Sequence, residues 1–411
     1  MLIHLRNWIL VLLFVAFIIT PLIGQFTGFC GAQYIQEVEL RFPNTLPLRP
    51  KSMEDLAHYP EKYEAYFNDH FGFRTELVAL DSLTFYRLLN STNAPNVIIG
   101  KDDWLFERRT HNLQDECRGV LRYREEELTA WIATMEKRQQ WFSDHGAEFM
   151  IIVPPNKHSI YPEFLPDWMA SVGQRRLDQL IERINETSTL DLLDLRPALL
   201  RAKERTEKPL YHKTDTHWNY RGAFVAYQEI IKHIQRRFPG THMIKEKDFK
   251  LVSEPGKAMN LGRMLNLVDW LDEEKISIIP KVPLQLKAVY SIQCNRALVS
   301  SISDIENQRI IMYTVSLRPE SPKVMIFRDS FTNALTPFLA ESFRETLIRH
   351  HQNNRIFPDL FQWMKPDLIL YIISERALYF APPEGENMDL YPQMPKILFP
   401  EEVKDGSEKK P

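Results

Sequence analysis

The hydrophobic positions in the second half of the chain form short continuous runs that alternate with helical patterns. Mainly apolar runs that predict buried strands lie at 149–153, 190–195, 324–327 and 368–373. Helical patterns lie between or after them, at 177–184, 219–237 and 331–343. Apolar strands separated by helices are typical of a parallel sheet that is covered on both faces. We therefore expect an α/β fold in which helices flank a parallel sheet.

Other segments organise the rest of the chain. Before the first strand come a helical pattern at 63–89, two short strands around a turn at 96–106, and a helix at 125–145. The strand–helix alternation is interrupted at about 238–322, and we interpret this region as a mixed segment inserted into the sheet domain. We expect that domain to span 61–400, with a Pro-rich linker at 37–60 before it and a charged, disordered tail at 401–411 after it.

The first 36 residues predict a membrane anchor. Residues 8–26 are almost wholly apolar, and about 20 such residues are needed to cross a bilayer. Arg6 precedes the stretch and Glu37 is the first acid after it, so we expect the N-terminus inside and the remainder outside. A retained signal anchor is preferred to a cleaved signal peptide because no small-x-small cleavage site is evident. A lipoprotein modified at Cys30 and a buried core helix are weaker alternatives.

Composition narrows the classes of function. The net charge of -3 provides no basic footprint for nucleic acid. The sequence contains 14 glycines but no Gly-rich loop that would hold a phosphate, and we expect no cofactor. Cys30, Cys117 and Cys294 lack the spacing of metal ligands. They allow one disulfide, although three unpaired thiols are the simpler interpretation.

Ser330 is the best candidate for a nucleophile. It lies where a predicted strand gives way to a helical pattern, so its hydroxyl would project at the carboxyl edge of the sheet, where sites of open α/β folds lie. Its own backbone N–H would then face a developing oxyanion. The alternative is a serine that only caps the helix and contributes about 1 kcal/mol to stability. The G-x-S-x-G elbow of α/β hydrolases is absent from the sequence.

Asp215 and His217 would complete a nucleophilic site. A carboxylate fixes the tautomer of an imidazole, which in turn takes a proton from a hydroxyl. Asp215 is equally compatible with a turn, and Asn219 with a simple N-cap of the helix that follows. A metal site with His212, Asp215 and His217 as ligands is a further alternative, but no convincing additional ligand accompanies them.

Several longer motifs carry a family resemblance. In chain order they are FNDHFGFR (67–74), KDDWLF (101–106), VPPNKHSIYPEFLP (153–166), KTDTHWN (213–219), NLGRML (260–265), RDSF (328–331) and KPDLILYIISERAL (365–378). In this order the motifs resemble the alginate O-acetyltransferase AlgX/AlgJ-related family, and they cover roughly residues 60–380. The resemblance implies an SGNH-hydrolase-like, flavodoxin-like parallel sheet.

The resemblance also implies roles for individual residues. Asp215 would orient His217, His217 would act as the base, and Ser330 would be the nucleophile. The position before Asp329 is often Gly in such motifs, whereas this chain has Arg328, which would bind an anionic sugar, pair with Glu375 or crowd the acyl group.

Further residues are candidates for oxyanion stabilisation or substrate binding. Asn156 and Asn333 are candidates for a second oxyanion donor, Lys157 and Arg263 for contacts with a charged polysaccharide, and Trp104 and Trp218 for stacking on a sugar. For each of these residues, an ordinary role in a loop, at the solvated surface or in the core is the alternative.

The activity implied by the resemblance is the transfer of acetyl groups to hydroxyls of an exported polysaccharide. Such proteins work beside a multi-spanning membrane acyltransferase that delivers the acetyl donor, so we expect that partner and a polysaccharide acceptor. The expected location is the inner membrane, with a single span and the catalytic domain on the periplasmic side. A carbohydrate acetylesterase with the same triad and a non-catalytic polysaccharide-binding or assembly protein are the alternatives.

Overall fold

The computed structural model describes most of the 411-residue chain. The described residues are 2–27, 35–36, 41–108, 113–283, 285–293, 310–350 and 358–379. Cys30, Cys294 and the predicted tail at 401–411 lie outside them. Cys117 is a buried free thiol.

Three helices form the N-terminal part of the molecule. They are α1 Leu2–Thr27, α2 Met53–His70 and α3 Arg74–Leu88. The length and composition of α1 make His4–Gln25 a candidate membrane span. A signal sequence has the same length and composition. The segment predicted as a linker, 37–60, contains the start of α2 at Met53. Ser52 starts this helix, since its side chain accepts a hydrogen bond from the backbone N–H of Asp55 at 3.0 Å.

The remaining elements alternate between strands and short helices. The strands are β1 Val97–Ile99, β2 Leu105–Glu107, β3 Glu148–Val153, β4 Leu192–Asp194, β5 Phe249–Lys257, β6 Asp272–Pro280, β7 Leu286–Gln293, β8 Ile310–Ser316, β9 Lys323–Arg328, β10 Glu345–His350 and β11 Leu368–Ile372. The helices after α3 are α4 Leu113–Cys117, α5 Glu125–Asp144, α6 Lys157–Ile160, α7 Arg176–Thr187, α8 Arg196–Lys203, α9 Tyr220–Ile234, α10 Asn260–Met264, α11 Thr336–Ser342 and α12 Pro358–Met364.

Among the described residues, the central sheet has seven strands in the order β4-β3-β11-β9-β10-β8-β7. The five strands from β4 to β10 are parallel, whereas β8 is antiparallel to β10 and β7 is antiparallel to β8. The expected parallel sheet is thus present, and its antiparallel edge comes from the region predicted as a mixed segment, about 238–322. An antiparallel neighbour needs no helical crossover, which is why the strand–helix alternation disappears from the sequence where this edge is encoded.

Side chains from successive positions of a strand enter two different cores. In β9, Ile326 packs in the core that contains Tyr227 of α9, while the next residue, Phe327, packs in the core that contains Trp131 of α5. This alternation is the geometry of an extended chain. Burying a side chain of this size contributes about 1.5–3 kcal/mol, so the continuous apolar runs stabilise helices on both faces of the sheet.

The region predicted as an insertion, about 238–322, has two parts. β5 and β6 form a separate antiparallel hairpin, with α10 in the connection between them. The second part, β7 and β8, forms two edge strands of the main sheet. Leu261 of α10 packs in a third core cluster with Leu105 of β2 and Tyr86 of α3, so the insertion is joined to the N-terminal helices.

The predicted helix at 331–343 is divided in two. A 3-10 helix spans Ser330–Ala334, and α11 follows it at Thr336–Ser342. Pro337 explains the division because it lacks the N–H that a continuous helix would donate to the preceding turn. The short first segment keeps Ser330 at the edge of the sheet.

Candidate active site

The parallel strands end together at one edge of the sheet. Ile372 of β11 is in register with Ile152 of β3, and Tyr371 with Phe327 of β9. The segments that follow these strands therefore converge at this edge, which is where open α/β sheets hold their sites.

Ser330 lies directly after β9, and Asp329 shapes its surroundings. Asp329 is the N-cap of the 3-10 helix Ser330–Ala334, and its Oδ1 accepts a hydrogen bond from Phe331 N at 3.0 Å. Its Oδ2 accepts from Ser374 N, after β11, at 2.7 Å. The capping role that sequence analysis considered for Ser330 thus belongs to Asp329, which leaves the serine hydroxyl available for another partner.

His217 contacts both Asp215 and Ser330. Its Nδ1 lies 2.6 Å from Asp215 Oδ1, and its Nε2 lies 2.8 Å from Ser330 Oγ. The structure therefore brings the three residues together although 113 positions separate His217 from Ser330. Since Nδ1 faces a carboxylate, the geometry favours the tautomer in which Nε2 is free to accept the hydroxyl proton.

Asp215 is buried and firmly held. Its Oδ1 also accepts from His217 N at 3.0 Å, and its Oδ2 accepts from Asn260 N of α10 at 3.3 Å. Burial by itself raises the pKa of Asp215, but the hydrogen bonds and charge of His217 outweigh it and hold the pKa below the ordinary value. Asp215 is thus kept ionised beside the imidazole.

The loop that carries these residues is closed by an isolated bridge between Tyr211 and Trp218. The buried Trp218 donates from Nε1 to the carbonyl of Phe331 at 3.0 Å, which ties the loop to the segment that holds Ser330. Asn219 caps α9, since its Oδ1 accepts from Arg221 N at 2.9 Å. Trp218 therefore lies in the core, and Asn219 has the simple capping role considered as an alternative.

Lys157 lies inside this loop. Its Nζ donates to the backbone carbonyls of His212, Lys213 and Asp215 at 3.0, 2.9 and 2.6 Å. The lysine is only 4% exposed, so its side chain is directed into the protein. Burial lowers the pKa of Lys157 to about 7, while the charges of Asp215 and Glu273 act in the opposite direction.

Glu273 of β6 holds the other side of the loop. Its Oε2 accepts from the backbone N–H and the hydroxyl of Thr214 at 2.7 and 2.6 Å. Its Oε1 lies 3.5 Å from His212 Nδ1. Of the three metal ligands considered from the sequence, His212 therefore faces Glu273, whereas Asp215 and His217 face each other. Within the described part of the chain no group of three His, Cys, Asp or Glu residues is arranged to hold a metal ion.

Asn156 lies between β3 and α6 and is buried. Its backbone N–H donates to Glu375 Oε2 at 2.9 Å, and Ser159 Oγ donates to the same oxygen at 2.6 Å. Arg175 reaches this cluster by donating to Ser159 Oγ at 2.8 Å. The side-chain amide Nδ2 of Asn156 has no hydrogen-bond partner in the described part of the molecule, and an unpaired buried donor is unusual.

Arg328 and Asn333 contact each other. Arg328 donates to Asn333 Oδ1 at 2.5 Å and to the carbonyl of Asp329 at 3.4 Å. The described contacts of Glu375 are with Asn156, Ser159 and Arg175. The structure thus places Arg328 beside Asn333, and the pairing with Glu375, one of three roles considered from the sequence, is not among its described contacts.

Sequence analysis missed several residues that organise the site. Glu273, Ser159 and Arg376 were not singled out, although Arg376 lies over the ring of Phe331 at 5.3 Å from its centroid. Glu375 was named only as a partner for Arg328. Ser159, Glu375 and Arg376 fall inside the long motifs, VPPNKHSIYPEFLP and KPDLILYIISERAL, which was the available signal. Glu273 lies outside every motif.

Comparisons with known proteins show what part of the chain is similar to. Residues 97–286 match the model of the SGNH hydrolase-like domain, acetyltransferase AlgX. The chain is 24% identical over 176 residues to the probable alginate O-acetylase AlgJ of Pseudomonas syringae, covering 43% of this chain and 42% of the relative. It is 25% identical over 202 residues to its namesake in Pseudomonas aeruginosa, covering 49% and 47%. The chain thus spans less than half the length of these curated relatives.

Solved structures support the fold. Bacillus cereus PatB1, solved with a sulfonyl adduct, superposes with a TM-score of 0.53 at 17% identity, covering 71% of this chain and 95% of PatB1. A DHHW family protein from Eubacterium siraeum gives a TM-score of 0.50 at 16% identity, covering 70% and 90%. The SGNH-like α/β fold is therefore confirmed.

Proposed function

Since the chain is related to the AlgX/AlgJ family, we propose that it is an O-acetyltransferase that uses Ser330 as nucleophile, His217 as base and Asp215 as the residue that orients the base. The observation that carries the proposal is the placement of His217 between Asp215 and Ser330, at 2.6 and 2.8 Å. These distances lie within the reach expected for a nucleophile, its base and the base's orienting group.

In the first half-reaction Ser330 Oγ attacks the carbonyl carbon of an acetyl ester donor. Its proton passes to His217 Nε2, and the tetrahedral intermediate expels the donor's alkoxide, which takes that proton from the imidazolium. The product is acetyl-Ser330. Asp215 remains ionised throughout and stabilises the imidazolium, for which its lowered pKa is suited.

In the second half-reaction a hydroxyl of the polysaccharide attacks the acetyl-serine. His217 takes the hydroxyl proton and returns it to Ser330 Oγ as the ester bond to the enzyme breaks. Water in place of the sugar would release acetate, which is the esterase activity considered as the alternative.

The developing oxyanion needs preorganised donors. We assign one to the backbone N–H of Ser330 and a second to Asn156 Nδ2, the buried amide without a partner. Asn156 is preferred to Asn333, because Asn333 is exposed and engaged by Arg328. Replacing one such donor costs about 10²–10³ in kcat.

The apolar helix α1 supports the proposed location. In this proposal it anchors the chain in the inner membrane and holds the catalytic domain on the periplasmic side, near a membrane acyltransferase that delivers the acetyl donor. Protease added to intact spheroplasts tests that orientation, since it should cleave a domain that lies on the periplasmic side.

The activity is tested with the full-length chain in detergent, with 4-nitrophenyl acetate as donor and an oligosaccharide as acceptor. Ser330→Ala and His217→Ala are expected to lose at least about 10³-fold in activity, since residues of such a unit act together. Ser171→Ala, at an exposed position, is the matched control. Acetylated oligosaccharide supports transfer, and acetate alone supports the esterase.

Covalent labelling identifies the nucleophile independently. A serine-directed sulfonyl reagent is expected to modify the peptide that contains Ser330, and His217→Ala is expected to slow the modification. Full activity of Ser330→Ala would show that the nucleophile is another residue.

A further inference from the structure

A cleft of about 640 Å³ lies between the end of α3, the turn of the β1–β2 hairpin and residues 166–168. The lining residues that matter here are Arg87, Lys101, Asp102, Asp103, Asp167 and Trp168. Its volume is within the range of small-ligand sites. Asp215, His217 and Ser330 are not among its lining residues, so the proposed chemistry does not account for it.

Trp168 gives the cleft an aromatic wall. The residue is 54% exposed, whereas its neighbour Met169 is 2% exposed and anchors the 3-10 helix Asp167–Met169 in the core. An exposed tryptophan on an anchored turn presents a large flat face at little cost in conformational freedom. The C–H face of a pyranose ring is complementary to such a surface.

The charged side chains of the cleft form ion pairs with one another and leave an excess of negative charge. Lys101 is paired with Asp167 at 2.6 Å, and Arg87 with Asp103 at 3.5 Å. Within the ranges that the structure describes, Asp102 forms no ion pair. Two cations therefore face three carboxylates, an arrangement rich in acceptors for hydroxyl groups and without an unpaired cation for an anionic ligand.

A second cleft of about 630 Å³ has the same character. Its lining residues include Lys213 and four carboxylates, those of Glu254, Asp272, Glu273 and Glu274. Glu274 is paired with Arg221 at 2.5 Å, so two cations are set against four carboxylates.

Lys213 connects the two clefts to the catalytic loop. Its side chain lines the second cleft, its Nζ donates to the carbonyl of Asp102 at 3.3 Å, and its own carbonyl accepts from Leu105 N at 2.9 Å. Asp215 lies only two positions further along the chain. A glycan held in either cleft would thus lie against the segment that positions the proposed base.

We infer that the cleft at Trp168 binds a neutral polysaccharide, and that this chain selects a neutral acceptor rather than a polyuronate. The inference rests on the proposed acetyl transfer for its biological meaning, but not for its test. A polyuronate carries a carboxylate on every residue and would meet carboxylates in both clefts, which costs free energy at low ionic strength.

Binding is measured by calorimetry on the full-length chain in detergent, with β-1,4-linked glucan, β-1,4-linked mannan and polymannuronate hexasaccharides as probes. A neutral hexasaccharide is expected to bind more tightly than the mannuronate. Added salt is expected to strengthen mannuronate binding by screening the repulsion and to leave neutral binding unchanged.

Trp168→Ala is expected to weaken neutral-sugar binding at least about tenfold, as truncation of a central aromatic contact does. Trp270→Ala is the matched control, because that tryptophan is 55% exposed but does not line the cleft. Tighter binding of mannuronate, an unchanged affinity in Trp168→Ala, or binding of neither neutral probe would overturn the inference.

Ser330→Ala separates this inference from the proposed function. The variant lacks the proposed nucleophile but keeps the cleft, so it is expected to bind the neutral hexasaccharide as the wild type does. Retained acetyl transfer in Ser330→Ala would refute the nucleophile while leaving the binding result valid, and loss of binding in Trp168→Ala would support the cleft whatever the chemistry.

Discussion

Two lysines, Lys157 and Lys101, make equally short contacts in very different surroundings. Lys157 is 4% exposed and donates to three backbone carbonyls of the catalytic loop, the shortest at 2.6 Å. Lys101 also lies 2.6 Å from its partner, Asp167, but their side chains are 50% and 92% exposed.

The difference shows that burial, rather than distance, decides what such a contact contributes. An exposed ion pair exchanges one well-solvated state for another and contributes about 0–1 kcal/mol. Removing Lys157 Nζ takes the donor from the carbonyls of His212 and Asp215, whereas the Lys213 carbonyl keeps Leu105 N, and each buried group left unpaired costs about 1–3 kcal/mol. The loop that carries Asp215 and His217 therefore depends on Lys157, whereas the turn at Lys101 does not depend on its ion pair.

The largest effect is expected for Lys157→Met, which keeps the length of the side chain and removes its donors. We expect a loss of about 3–5 kcal/mol in the free energy of unfolding, as when one partner of a buried charged contact is removed. Denaturant unfolding of the full-length chain measures it. Because the loop carries His217, kcat should fall more than KM rises. A variant as stable and active as the wild type would show that the carbonyls do not need this lysine.

A smaller effect is expected for Glu273→Ala. The change removes the acceptor of the Thr214 N–H and hydroxyl and should cost about 1–3 kcal/mol of stability, with a fall in kcat because the loop loosens. Glu254→Ala, at an exposed position in the same hairpin, is the control. Equal effects of the two substitutions would contradict a specific role for Glu273.

Glu116 is a second test of what burial does to a charged group, because it is buried and its Oε2 has no hydrogen-bond partner among the described residues. Burial, with the nearby charge of Glu375, raises its pKa from 4.5 to about 8. The folded chain therefore binds the proton more tightly than the unfolded chain does. This contribution to stability is complete below pH 4.5 and is lost as pH rises toward about 8.

Glu116→Gln should remove that part of the pH dependence. The melting temperature of the variant, measured from pH 5 to 8, is expected to fall less with rising pH than that of the wild type. Parallel curves for the two proteins would show that Glu116 does not take up a proton on folding.

The smallest effect is expected for Lys101→Met. Loss of the exposed ion pair with Asp167 should change stability by less than about 1 kcal/mol, and the difference should disappear in high salt. A loss as large as that in Lys157→Met would contradict the distinction between buried and exposed contacts.

Much of this molecule follows from local patterns in the sequence. The apolar runs predict β3, β9 and β11 because their side chains are buried on both faces, and the spacing at 125–145 predicts α5. The antiparallel edge formed by β7 and β8 could not be placed, because a strand pattern does not specify its neighbour or its direction.

For the candidate active site too, the sequence indicates the residues but not their arrangement in space. The sequence singles out Asp215, His217 and Ser330 by residue type and by family resemblance, but the distance between His217 and Ser330 is set by the packing of loops that are far apart in the chain. Lys157 was a candidate for contact with a charged polysaccharide, with a solvated surface position as the alternative. Neither anticipates its burial, which depends on carbonyls contributed by a loop over 50 positions away.

The capping of the 3-10 helix by Asp329 has a consequence for substitutions at Ser330. Since the side chain of Asp329 accepts the capping hydrogen bond from Phe331 N, replacing the Ser330 hydroxyl would leave the start of the 3-10 helix in place. A chain that lacks this serine is therefore expected to keep the sheet and the loops around it while losing the proposed nucleophile.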